Sequence, residues 1–108
     1  MKHVLFDLKE CLITSPLDDE EYVKDTLIEA AKIGKLEVLK VGTHKFEPYG
    51  VTGYALLAES HISIHTWPEK GEAAIDIFTC GNAIPKVGCD IILQQLKPSR
   101  FEIKKIDR

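Results

Sequence analysis

The sequence predicts an α+β fold: a two-layer sandwich in which a mainly antiparallel sheet carries two helices on one face. Three observations lead there. Several short runs alternate apolar and polar residues with period two, two segments repeat apolar residues at helical spacing, and neighbouring strand-like runs are joined by hairpin-length connections. Parallel neighbours would need crossovers of a dozen residues or more.

Val4, Leu5, Phe6 and Leu8 form an apolar run suited to a buried first strand. Residues 14–18 read as a turn into a helix with Asp18 as N-cap. Asp19, Glu20 and Glu21 fall in its first turn, where the helix dipole favours negative charge. Val23, Leu27 and Ala30 recur on one helical face, and Gly34 ends the helix. Residues 36–46 and 51–58 read as paired strands around the turn Glu47-Pro48-Tyr49-Gly50. In the next strand the period of two puts His61, Ser63 and His65 on one face and Ile62 and Ile64 on the other. After a loop at 67–72, Ala74, Asp76, Phe78 and Cys80 alternate with Ile75, Ile77 and Thr79. Residues 85–96 read as a second helix, with Pro85 in its first turn, Gly88 placed for close approach to the sheet, and Pro98 just beyond its end. A last strand covers 100–106, where Phe101, Ile103 and Ile106 alternate imperfectly with charged residues.

At 108 residues the chain is one domain, 1–108, with a core small enough that a second subunit is expected to complete any deep pocket. A net charge of -3 offers no basic excess to hold a phosphate backbone, so nucleic acid is not an expected partner. No apolar run approaches the roughly 20 residues of a membrane span, and the opening residues are cut by Asp7 and Lys9 before they could form a signal peptide. The expectation is a cytoplasmic protein without a membrane partner. Cys11, Cys80 and Cys89 are odd in number and unpaired in spacing, as thiols are rather than a disulfide framework.

Chemistry-bearing residues concentrate between 58 and 81. A hairpin loop centred near Lys70 pairs positions whose numbers sum to about 140, setting Ser60 opposite Cys80 and His65 opposite Ile75. Three readings follow. A metal held by His61, His65 and Cys80 is disfavoured, because residues four apart on a strand lie roughly 13 Å apart, and no resident metal is expected. A cysteine nucleophile activated by histidine lacks a third, orienting residue. In the third reading Ser60 attacks the carbonyl of Glu59, and the resulting ester breaks by β-elimination once a base, His65, removes the α-proton. The new terminus is a pyruvoyl group, a ketone able to condense with an amine and accept electrons as CO₂ leaves, with Cys80 returning a proton.

The segments Glu59-Ser60-His61, Ile64-His65-Thr66-Trp67-Pro68-Glu69 and Phe78-Thr79-Cys80-Gly81 resemble the small prokaryotic S-adenosylmethionine decarboxylases, which are pyruvoyl enzymes. The likeness continues through residues 44–53 and, more weakly, through His3 to Asp7 and Cys11. It implies a self-processing proenzyme cut between Glu59 and Ser60 into a β chain, 1–59, and an α chain, 60–108. Ser60 becomes the covalent pyruvoyl cofactor, His65 assists processing, and Cys80 protonates the decarboxylated Schiff-base intermediate. Thr52 stands where the family commonly has a serine that assists cleavage, with Glu59 and His61 supporting the corner. Phe46 matches the residue that stacks on adenine, and Glu69 the one that hydrogen-bonds the ribose. The resemblance further implies S-adenosylmethionine as substrate, a role in polyamine synthesis, and a homodimer of processed protomers with helices outside two sheets, a four-layer α/β/β/α assembly. Lys70, Glu72 and Glu47 depart from the family near the substrate-facing loops. A pyruvoyl-dependent ornithine or arginine decarboxylase, or a regulatory homologue that never processes, therefore stand as alternatives.

Overall fold

The computed structural model describes residues 1–81 and 85–108. In chain order it contains β1 (Lys2–Cys11), a 3-10 turn (Ser15–Asp18), α1 (Glu20–Ile33), β2 (Val38–Lys45), β3 (Val51–Leu57) and β4 (Ser60–Trp67). A second 3-10 turn (Pro68–Lys70), β5 (Glu72–Thr79), α2 (Pro85–Leu96) and β6 (Pro98–Asp107) complete it. The strands form one sheet in the order β2-β3-β4-β5-β1-β6, antiparallel at every step. The helices pack on each other and on one face of the sheet, α1 over β2, β3 and β4 and α2 over β1 and β5. The predicted two-layer α+β architecture stands. No helix among the described residues is long and apolar enough to cross a membrane.

Period-two alternation selects the covered face. Val4, Phe6 and Leu8 of β1, Val51, Ala55 and Leu57 of β3, Ile62 and Ile64 of β4, and Ala73, Ile75 and Ile77 of β5 are buried against Val23, Leu27, Ala30 and Ala31 of α1 and Cys89, Ile92 and Leu96 of α2. Full burial of each large aliphatic is worth about 1.5–3 kcal/mol against leaving it in water. Tyr22 locks the helices together, its hydroxyl donating to the Gln95 carbonyl at 2.7 Å. Gly88 does allow the expected close approach: a Cβ there would stand 3.3 Å from Ile77 Cδ1.

Two sequence expectations need correction. Asp19, not Asp18, caps α1, accepting the Tyr22 N–H at 3.0 Å. Asp18 is taken up elsewhere, accepting the Gly50 N–H at 2.8 Å and facing Lys45 Nζ at 3.0 Å. Those two partners, the Gly50 N–H first, hold its carboxyl below the ordinary range.

The second correction is the β4–β5 register. His61 pairs with Phe78 and His65 with Ala74, so partners sum to 139 and neither the Ser60–Cys80 nor the His65–Ile75 pairing occurs. Loop symmetry overlooked parity. The polar face takes odd numbers on β4 and even numbers on β5, so only an odd sum keeps both apolar sets on the covered side; a one-residue slip would oppose His65 to buried Ile75. Trp67 and Glu72 belong to the strands, which leaves a loop of residues 68–71. Gly71 takes φ +65° there, and a Cβ would lie 2.9 Å from the Cys11 carbonyl oxygen, so the hairpin tip sits against the end of β1.

The other face carries no helix. It presents His3 and Leu5 from β1, Tyr54 and Leu56 from β3, His61, Ser63, His65 and Trp67 from β4, and Asp76 and Phe78 from β5. Leu5, Tyr54, Leu56, Trp67 and Ile106 are exposed.

Candidate active site

The sequence-predicted residues fall into two groups at opposite ends of β4. The first lies at the β3–β4 corner. Leu57 pairs with Ser60, so Ala58 and Glu59 form the whole reversal. Glu59 turns the corner at φ +58°, in the left-handed region that costs a residue with a side chain about 1–3 kcal/mol. Ser60 is buried with 6% of its surface exposed, and its Oγ accepts the Cys80 N–H at 3.3 Å. That bond draws Cys80, the first residue past β5, to the reversal. Cys80 is half-buried, whereas Cys11 and Cys89 lie in the core. Burial chiefly pushes the Cys89 thiol up to about 11, which leaves it an inert packing group.

The second group lies at the far end of β4. Thr52 and His65 are direct cross-strand partners, and the Thr52 hydroxyl lies 2.8 Å from His65 Nδ1. They open onto a cleft of about 410 Å³ lined also by Phe46, Tyr49, Trp67 and Glu69. Its rim is the 46–50 turn, closed by the Phe46 N–H on the Gly50 carbonyl at 2.8 Å. Beneath the rim, buried Thr66 accepts the Val51 N–H at 2.8 Å and donates to the Leu17 carbonyl at 2.7 Å, fixing the turn to the domain. Phe46 is 45% exposed, the position of a platform rather than of a core ring. Trp67 lies exposed on the open face, its ring 6.4 Å from that of His65.

Between the two ends Asp76 gathers a hydrogen-bonded cluster. His3 Nε2 lies 2.7 Å and His61 Nε2 2.9 Å from its Oδ2, and Ser63 donates to its Oδ1. Partial burial pushes the Asp76 carboxyl up, but bonds from Ser63, His61 and His3 outweigh it and hold the group below the ordinary carboxylate range. Sequence reasoning placed His61 at the corner but did not join it to His3 and Asp76. The alternation on β5 already put Asp76 on the correct face; the missing information was that β1 pairs with β5.

Ser60, Glu59, Cys80 and His61 are thus together, as are Thr52, His65, Phe46 and Glu69. Within one chain the two sets do not meet: Ser60 and His65 stand five residues apart on an extended strand, about 16 Å. One end holds a hydroxyl at a strained peptide and a thiol. The other holds an imidazole, a hydroxyl and an aromatic cleft with a carboxylate at its edge.

The family model described as S-adenosylmethionine decarboxylase matches residues 2–108. The chain is 47% identical over 108 residues to the S-adenosylmethionine decarboxylase proenzyme of Prochlorococcus marinus strain MIT 9211, covering 99% of this chain and 88% of that protein. It is 48% identical over 108 residues to the proenzyme of the same name from Methanococcus vannielii, again with 99% and 88% coverage. The crystal structure of the adenosylmethionine decarboxylase from Aquifex aeolicus VF5 superposes with a TM-score of 0.92 at 37% identity, over 99% of this chain and 88% of that one.

Proposed function

Because this chain belongs to the S-adenosylmethionine decarboxylase family, we propose that it severs itself between Glu59 and Ser60 and then decarboxylates S-adenosylmethionine to the aminopropyl donor for polyamine synthesis. The observation that carries this reading is the corner itself. Glu59 is held at positive φ, and the next hydroxyl is buried against the Cys80 N–H instead of facing water.

Attack of Ser60 Oγ on the Glu59 carbonyl carbon moves the acyl group from nitrogen to oxygen and relaxes the left-handed residue. Removal of the Ser60 α-proton then expels the Glu59 carboxylate as a new C-terminus. Loss of ammonia by hydrolysis leaves a pyruvoyl group on residue 60. When formed, that ketone supplies the electron sink for CO₂ loss, the role pyridoxal phosphate plays elsewhere. Cys80, whose backbone N–H sets it beside residue 60 in the uncut chain, delivers the proton to the decarboxylated carbon.

The α-proton needs a base, and His65 of the same chain is about 16 Å away. A two-fold axis lying between two open sheet faces and running across the strands sets the Ser60 end of one protomer over the His65 end of its partner. The exposed Leu5, Tyr54, Leu56 and Trp67 supply the apolar surface for such an isologous contact. Each of two sites then takes Ser60, Glu59 and Cys80 from one protomer and His65, Thr52, Phe46 and Glu69 from the other. The homodimer of the four-layer expectation becomes a chemical requirement. Phe46 stacks on the adenine and Glu69 accepts hydrogen bonds from the ribose hydroxyls.

The ornithine and arginine readings draw no support from the relatives, whose names carry S-adenosylmethionine, nor from a cleft whose Phe46, Tyr49 and Trp67 suit a purine better than an aliphatic amine. The test is release of labelled CO₂ from carboxyl-labelled S-adenosylmethionine, ornithine and arginine by protein whose denatured mass has been recorded. Two fragments and turnover of S-adenosylmethionine alone are expected; an intact chain, or turnover of another substrate in its place, refutes the reading.

A further inference from the structure

The cluster around Asp76 joins two histidines and a carboxylate that carry no step of the cleavage chemistry proposed above. His3 and His61 are both register partners of Phe78, one on each side of β5, and both reach diagonally to Asp76. Their Nε2 atoms and Asp76 Oδ2 all lie within 4.8 Å of one another. Three adjacent strands of one sheet therefore present two imidazole nitrogens and a carboxylate oxygen to a single point.

The surrounding groups hold that arrangement. Ser63 occupies Oδ1 of Asp76 and turns Oδ2 toward the two rings. Phe78 stacks on His61 at 5.8 Å and 22°, and meets His3 edge-on at 5.6 Å and 85°, fixing both ring planes. All three side chains are partly exposed on the single chain, so an ion has access from the open face before two such faces pack together.

We propose that His3, His61 and Asp76 form a binding site for a divalent transition-metal ion such as zinc, with Ser63 as the outer group that orients the carboxylate and a fourth coordination position left open. A tetrahedral ion with bonds of about 2.1 Å holds its ligand atoms about 3.4 Å apart. That is roughly 0.5–0.7 Å wider than the 2.7 and 2.9 Å contacts here, a spread that side-chain rotations supply. On binding, each ring gives up its Nε2–H bond to Asp76 and carries its proton on Nδ1 instead, so a neutral imidazole serves as ligand. The set differs from the His61, His65 and Cys80 combination considered on sequence because cross-strand neighbours are close where residues four apart along one strand are not. It is independent of whether the chain cuts itself.

The experiment is calorimetric titration of the chelator-treated full chain with zinc chloride, repeated with cobalt(II) followed by its visible absorption. One ion per chain is expected. His3→Ala and His61→Ala should each weaken binding by about tenfold or more, while His44→Ala and His65→Ala leave it unchanged. Should an alanine variant misfold, nitrogen-15 histidine spectra of the wild-type chain decide the matter: zinc must move the Nε2 signals of His3 and His61 and spare those of His44 and His65. No uptake at tenfold molar excess, uptake that survives the double His3, His61 variant, or shifts confined to His65 would overturn the proposal.

Discussion

On the proposed reading, the two ends of β4 supply opposite halves of one chemical task. At the Ser60 end the apparatus is backbone: a left-handed Glu59, a two-residue reversal and a Cys80 N–H aimed at the serine oxygen. At the His65 end it is side chain: an imidazole bonded to Thr52 above a cleft of about 410 Å³. The first end offers a hydroxyl and a thiol; the second offers an imidazole beside a cleft. A strand eight residues long keeps them apart in one chain and would bring them together in a symmetric pair, so the small domain needs no deep pocket of its own.

Substitutions at each end should break this contrast to different degrees. Ser60→Ala removes the nucleophile and should abolish both cleavage and CO₂ release, read as a single band on denaturing gels. Thr52→Ala, at the other end, leaves His65 in place without its 2.8 Å partner and should slow cleavage by about tenfold, the equivalent of one good hydrogen bond. Thr52→Ser should restore the rate, which a packing role for the lost methyl would not allow.

Strain at the first end is separable from chemistry. On the Ser60→Ala background, Glu59→Gly should stabilise the uncut chain by about 1 kcal/mol in urea denaturation, because glycine adopts φ +58° freely. The smallest effect belongs to the rim of the second end, where Asp18 holds Gly50 and Lys45. Its carboxyl is held below the ordinary range in the folded chain, so its contribution is present above that range and lost as the pH falls through it. Asp18→Asn should lower the Tm slightly at pH 7, with the gap closing below about pH 4.

Local features were legible in the sequence, and long-range ones only where parity or spacing encoded them. Alternation at 61–65 assigned both faces of β4 correctly because side-chain direction on a strand depends on the residue count alone. The β4–β5 register was recoverable from the same alternation, yet loop symmetry, blind to parity, missed it by one. Strand spacing already implied that His65 could not reach Ser60 in its own chain. The cap moved from Asp18 to Asp19 because Asp18 answers to Gly50, 32 residues away, and the His3–Asp76 contact spans 73. No local pattern reports either.

The claim that the two ends meet only across protomers is tested most directly by co-expressing Ser60→Ala and His65→Ala chains and measuring decarboxylation. Each homodimer lacks one essential group at both sites. A mixed dimer keeps one complete site, so random pairing should restore about a quarter of wild-type activity, with cleaved chains arising only from the His65→Ala partner. Activity no greater than the sum of the two variants made separately would contradict the account.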